Sequence, residues 1–175
     1  MPYTIDRIAE TPQGDQMNAP SPAPLSIFVR NVRPDDLLAW TLLWNGYNAF
    51  YGRHGATALA PAITQSTWQR FFDVNEPVFA LVADADGQLL GLTHYLFHRS
   101  TTRVEPTCYL QDLFTVESAR GRGVGRALIQ AVYREASAAG VNRVYWQTHV
   151  TNAAGRRLYD AVAEHKGFIV YSHDA

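Results

Sequence analysis

The sequence predicts an α/β (α+β) domain built on a mixed, mostly antiparallel sheet, and three observations point there. The stretch "PVFALVADADGQLLGLTHYLF" is two apolar runs joined at Asp86-Gly87, a dipeptide suited to the positive φ angles of a tight hairpin, so two strands pair antiparallel. "TCYLQDLFTV" and "VNRVYWQTHV" are two further strand-like runs. Between them Val124, Leu128, Ala131, Val132 and Ala136 recur at three- and four-residue spacing before Gly140, which makes strand, amphipathic helix and strand a βαβ unit. The third observation is size: 175 residues, 47% hydrophobic, with a formal net charge of −1, suffice for one core and not for two ordinary domains.

The remaining elements follow in order. Residues 1–24 hold five of the nine prolines and show neither helical nor strand period, so they read as a flexible tail ahead of a domain spanning 25–175. Order begins at "LSIFVRNV", a short β-rich run. Pro34-Asp35-Asp36 then opens a helix, with proline and carboxylates where the first turn favours them; Leu37, Leu38, Thr41, Leu42 and Trp44 outline its apolar face. "NGYNAFYGRHG" breaks that helix as a tyrosine-rich loop, and "TQSTWQRFFD" forms a second one. After the βαβ unit, Asn152 is an N-cap residue type for a last helix over "AAGRRLYDAVAEH", and "GFIVYS" is a last strand.

Composition excludes several functional classes. The balanced charge gives no global drive toward nucleic acid or membrane lipid, so any attraction for anions is local. The single Cys108 forms no intramolecular disulfide, and the absence of a basic-then-apolar leader or a long apolar run makes the cytoplasm the expected location. His94 and His98 stand four apart, but without nearby cysteines or a matching acidic pair they assign no metal.

The local anion site is legible at the start of the third helix. Gly121, Gly123 and Gly125 alternate with Arg120, Arg122 and Arg126 between a strand and a helix. Unpaired amides and the positive end of the helix dipole point at one spot there, glycine admits an anion close to the backbone, and guanidinium groups add charge-assisted hydrogen bonds. A phosphate or pyrophosphate is the natural guest. No Gly-Lys-Ser/Thr occurs in the chain, which removes a Walker A loop, and a G-x-G-x-x-G fingerprint from Gly121 fails at Arg126. What the segment matches is Arg120-x-x-Gly123-x-Gly125, preceded by an apolar strand ending Leu113-x-Thr115. In this it resembles the GNAT acetyltransferases.

The resemblance covers roughly residues 25–175, and its implications are specific. It implies six to seven strands splayed around the cofactor and flanked by about four helices, and acetyl-CoA as cosubstrate. It places the pyrophosphate on Gly121, Arg122, Gly123, Val124, Gly125 and Arg126, and the pantetheine arm along Leu113, Phe114 and Thr115. Asn152, followed seven residues later by Tyr159 and further on by Gly167-Phe168, matches a second family pattern. Seven residues is close to two helical turns, so both side chains line one groove; the resemblance makes Asn152 cofactor-binding and Tyr159 the acid that protonates the departing thiolate. Gly155 stands where the family often has alanine.

The base and the acceptor are less determined. "YLQDLF" resembles the strand of the diamine (spermidine/spermine), histone and D-amino-acid subgroups, which tend to have Glu-Asp where this chain has Gln111-Asp112. Asp112 is the candidate carboxylate, with a structural role beneath the cofactor turn also open to it; His149 is a second candidate for proton relay. Plain alternation puts Tyr109, Gln111 and Leu113 on one face and Leu110, Asp112 and Phe114 on the other. Tyr47, Phe50, Tyr51 and Trp68 are candidate walls of an acceptor pocket. Asp73, Glu76 and Asp112 are the acidic residues that a polyamine would use. The expectation is an N-acetyltransferase acting on a primary amine of a small molecule such as a polyamine or amino acid. Family habit implies a homodimer, and neither nucleic acid nor membrane is expected as a partner. Lysine acetylation of protein, or an acetyl-CoA-binding module without turnover, suggested by Gln111, are the alternatives.

Overall fold

The structure, a computed structural model, describes residues 26–173; the proline-rich stretch at 1–24 lies outside them. Strand β1 (Phe28–Asn31) leads through a 3-10 turn at Pro34–Asp36 into helix α1 (Leu37–Phe50), and α2 follows at Pro61–Arg70. Strands β2 (Val78–Ala85), β3 (Gln88–His98) and β4 (Thr107–Thr115) come next, then α3 (Val124–Ala138), β5 (Val144–Tyr145) and α4 (Ala153–Asp160). The sheet order is β1-β2-β3-β4-β5. Every pair is antiparallel except β4 with β5. The β2–β3 hairpin turns at Asp86 (φ 51) and Gly87 (φ 86), as the two positive angles of a type I′ turn require.

Each face of the sheet carries its own core. On one side α3 buries Val124, Leu128, Ile129, Ala131, Val132 and Ala136 against Leu81, Ala83, Tyr95, Cys108 and Leu110. Each large aliphatic chain among these contributes about 1.5–3 kcal/mol. On the other side α1 presents Trp40, Leu43, Trp44 and Tyr47 to Ala80, Val82 and Leu92, with Trp68 and Phe71 packed on from the α2 segment. Arg30 fastens the entry to α1: its guanidinium reaches Asp36 at 2.6 Å and Asp84 at 2.9 Å. The hydrogen bond from Arg30 holds the Asp36 carboxyl below the usual range.

Four expectations are corrected. Helix α1 does not break at Asn45-Gly46 but runs to Phe50. Its buried face is Trp40, Leu43, Trp44, Tyr47 and Asn48, while Leu38 and Leu42 are 82% and 74% exposed; the aromatic rings at four- and three-residue spacing bury more area than the leucines and decide the rotation. Helix α4 stops at Asp160. The sheet has five strands among the described residues rather than six to seven, because "GFIVYS" pairs with nothing there. A strand needs an edge to extend, and β5 is only two residues long. Phe168, Ile169, Val170 and Tyr171 are thereby left 62–87% exposed. Among the described residues no helix is long and apolar enough to cross a membrane.

Candidate active site

Strands β4 and β5 hold together only at Cys108↔Val144 and Tyr109↔Tyr145. Beyond that point no ladder joins them, and the β5 side of Leu110–Thr115 has no strand partner among the described residues. An unpaired parallel edge offers alternating N–H and C=O groups to any extended ligand carrying amides. Leu113, Phe114 and Thr115 lie on this stretch, all half-buried.

At the far end of β4 the chain passes through a 3-10 turn at Glu117–Ala119 and enters α3 with Gly123 as N-cap at φ 86. The first bond of the helix is Ala127 N–H to the Gly123 carbonyl. Among the described residues, no amide from Gly121 through Arg126 donates to a backbone carbonyl, and Arg120, Arg122 and Arg126 form no ion pair. A cluster of open donors and open cations at a helix N-terminus is a fit for a diphosphate. Gly125 has a second duty. A Cβ there would come within 3.0 Å of Leu158 Cδ2, so its absence lets α4 pack against the first turn of α3.

Asn152 caps α4: its Oδ1 accepts from Gly155 N–H at 3.0 Å, and its Nδ2 donates to Thr148 Oγ1 at 3.0 Å. Gly155 suits this cap, because an alanine Cβ would stand 2.5 Å from Asn152 Nδ2. Two turns on, the Tyr159 ring meets Trp146 edge-on at 5.5 Å. Burial pushes the Tyr159 phenol up to about 12, Tyr51 adds to the rise, and a hydrogen bond with Thr148 partly offsets it. Thr148 thus touches both Asn152 and Tyr159. Sequence reasoning missed it, since a threonine in an irregular segment carries no pattern.

Asp112 stands across the sheet from this groove, and a β-bulge puts it there. The register runs Tyr95↔Leu110 and then His94↔Asp112, leaving Gln111 as an extra residue on β4. The bulge rephases the strand. Leu110 and Leu113 therefore face the α3 core, whereas Asp112 and Phe114 face α1, which corrects the plain alternation expected from sequence. Asp112 Oδ2 accepts from His94 Nδ1 at 2.8 Å, and His94 Nε2 accepts from Trp40 Nε1 at 3.0 Å. Burial and then the Asp112 charge raise the Tyr47 phenol, and the same two causes raise Tyr51. Tyr51 is thus raised by Asp112, with Arg53 partly offsetting it, and itself raises Tyr159.

A cavity of about 390 Å³ opens beside this carboxylate. Its charged lining is Arg53, Arg70 and Asp112, with Tyr47, His94 and Gln111 adding polar groups. Of the expected aromatic walls Tyr47 lines it, while Trp68 packs on Trp40 at 4.9 Å in the core and Phe50 and Tyr51 pack edge-on at 5.0 Å near the surface. Asp73 and Glu76 do not line it. His149 is bonded to Thr151 Oγ1 at 2.6 Å on the exposed approach to α4.

Residues 39–163 match the model of the acetyltransferase (GNAT) family. The chain belongs to that family. This GNAT protein is an acetyl-CoA-dependent acyltransferase. It is 35% identical over 150 residues to the D-amino-acid N-acetyltransferase HPA3 of Saccharomyces cerevisiae, a match covering 85% of this chain and 91% of that relative. It is 28% identical over 145 residues to the uncharacterized N-acetyltransferase YhfO of Bacillus subtilis, covering 82% and 94%. Among solved structures it resembles the aminoglycoside acetyltransferase AAC(6')-Iy in complex with a CoA-based bisubstrate analogue, with a TM-score of 0.72 at 18% identity over 85% of this chain and 98% of that one. At that identity the likeness describes the fold. The two-residue β4–β5 ladder, the open amides and the two bonded sites at Asp112 and Asn152 are this GNAT protein's own geometry.

Proposed function

We propose that the protein acetylates the primary amine of a small acceptor that also carries a carboxylate, an amino acid. The observation that carries this reading is the charge of the cavity: one carboxylate, Asp112, against two guanidinium groups, Arg53 and Arg70. A polyamine would meet a net positive lining. An amino acid zwitterion meets a partner for each of its ends. Arg53 is held for such a role, with Nε on Asn48 Oδ1 at 2.8 Å and its guanidinium over the Tyr47 and Tyr51 rings at 5.6 and 5.3 Å. The name of the yeast relative agrees with this class and places D-amino acids first among the acceptors to try.

Acetyl-CoA supplies the acetyl thioester. For its diphosphate the open amides of Gly121, Gly123, Val124 and Gly125 with Arg122 and Arg126 are the holders, and the free edge at Leu113, Phe114 and Thr115 suits its amide-bearing arm. Asn152 acts by fixing α4, and with it Tyr159. Asp112 binds the ammonium end of the acceptor and takes its proton on the carboxylate. Tyr159 keeps its proton on Oη at neutral pH and is the acid for the leaving group. Because burial also makes it a weaker acid, its proton moves as the leaving bond breaks and not before.

A homodimer and a cytoplasmic location belong to the same reading. The exposed row Phe168, Ile169, Val170 and Tyr171 supports the first, and light scattering tests it; the free, buried Cys108 agrees with the second, which cell fractionation checks. The activity itself is tested by thiol release from acetyl-CoA with a panel of D- and L-amino acids, diamines and a lysine peptide. Turnover with amino acids supports the proposal. Cofactor binding without turnover across the panel would replace it with a binding module.

A further inference from the structure

Both ring nitrogens of His94 are engaged inside the α1-side core. Trp40 is 0% and His94 2% exposed, and the imidazole is wedged among Trp40, Trp44 and Phe71 with ring centroids 5.8, 5.3 and 4.7 Å away. An indole N–H can only donate. The 3.0 Å bond from Trp40 Nε1 therefore makes Nε2 the bare nitrogen and puts the hydrogen on Nδ1, where it points at Asp112 Oδ2 at 2.8 Å. Asp112 lines the cavity, and the Tyr47 hydroxyl reaches the same carboxylate from α1. His94 lines that cavity too, yet with its one lone pair taken by Trp40 it has none to offer an amine.

We propose that His94 is a positioning residue, its tautomer locked by Trp40 so that Nδ1–H holds the Asp112 carboxylate at a fixed angle to the acceptor amine. The inference rests on the reading of Asp112 given under the proposed function. The bulge at Gln111 and the His94↔Asp112 register bring the two side chains to one face, and the aromatic cage removes the freedom of the ring. Trp40 thus contributes to turnover from outside the cavity, by deciding which nitrogen carries hydrogen.

The test uses the full chain with acetyl-CoA and the best amino acid of the panel. His94→Leu removes the donor and lowers kcat by up to about a hundredfold, the usual scale for a displaced reacting group, while the KM for acetyl-CoA stays put. His94→Asn keeps an N–H on the atom next to Cγ and restores most of that loss. Equal losses in the two variants, alongside a wild-type-like thermal midpoint, would overturn the positioning role while an inactive Asp112→Asn keeps the proposed function standing. Wild-type turnover in Asp112→Asn would sink both. Nitrogen-15 NMR of the wild-type protein needs no variant to fold: the neutral Nδ1–H form of His94 is expected, and an Nε2–H or doubly protonated ring contradicts the proposal.

Discussion

Asp112 faces His94 across β3 and β4, Oδ2 to Nδ1 2.8 Å, although Leu110 two residues earlier points into the opposite core. The extra residue Gln111 is the cause. Deleting Gln111 would leave a regular ladder with the His94↔Asp112 pair intact and Asp112 still on the face opposite Leu110, so the group to remove is the carboxylate itself. We expect Asp112→Asn to lower kcat/KM for the acceptor by at least about a hundredfold, with Gln111→Ala close to wild type; steady-state kinetics on both variants checks it.

Tyr159→Phe should lower kcat by about two to four orders of magnitude, the range for loss of a general acid, with little change in acetyl-CoA affinity. Because burial pushes this phenol up to about 12, the wild-type rate should show no loss from Tyr159 ionisation up to about pH 10, where a free tyrosine is half ionised. A pH–rate profile and calorimetric titration of coenzyme A read the two effects separately.

Gly123→Asp places a carboxylate at the start of α3, on a residue whose φ of 86 disfavours any side chain. Like charge against a diphosphate and the strained backbone both act against binding. Calorimetry should show coenzyme A affinity reduced at least about tenfold, whereas a Gly52→Ala control, at a glycine of similar φ away from the turn, leaves it unaltered.

Alkaline stability follows from the buried acids. Burial raises the Cys108 thiol to about 12 and Tyr159 to about 12, and Tyr47 and Tyr95 also move up. The folded chain thus keeps protons that the unfolded chain loses near about pH 8.5 and 10. Their contribution is complete below about pH 8.5 and is lost as pH climbs toward about 12, since stability falls wherever the native state binds more protons. Urea midpoints between pH 8 and 11 should decline. A thiol reagent at pH 8 should leave native Cys108 unmodified and label it after unfolding.

How much of this was legible in the sequence depends on how local each signal is. Asp86-Gly87, the α3 periodicity and the Gly121–Arg126 turn are set by near neighbours, and each was read correctly as an element. The face of α1 was not, because leucines at 37, 38 and 42 suggest one stripe while Trp40, Trp44 and Tyr47 find a tertiary surface that holds them. The direction of Asp112 depends on one unpaired residue in a ladder, which alternation cannot register. His94 and Trp40 stand 54 residues apart, so their bond leaves no trace in spacing. The strand expected at Gly167–Ser172 has strand composition without an edge to join among the described residues.

Whether an acceptor is held by its amine at Asp112 and by its carboxylate at Arg53 can be read from a competition. Equal concentrations of a D-amino acid and its decarboxylated amine are mixed with acetyl-CoA, and the products are weighed by mass spectrometry for wild type and Arg53→Gln. The N-acetyl amino acid is expected to dominate with wild type, and its excess to shrink at least about tenfold in Arg53→Gln. Preferential acetylation of the decarboxylated amine by the wild-type protein would contradict it.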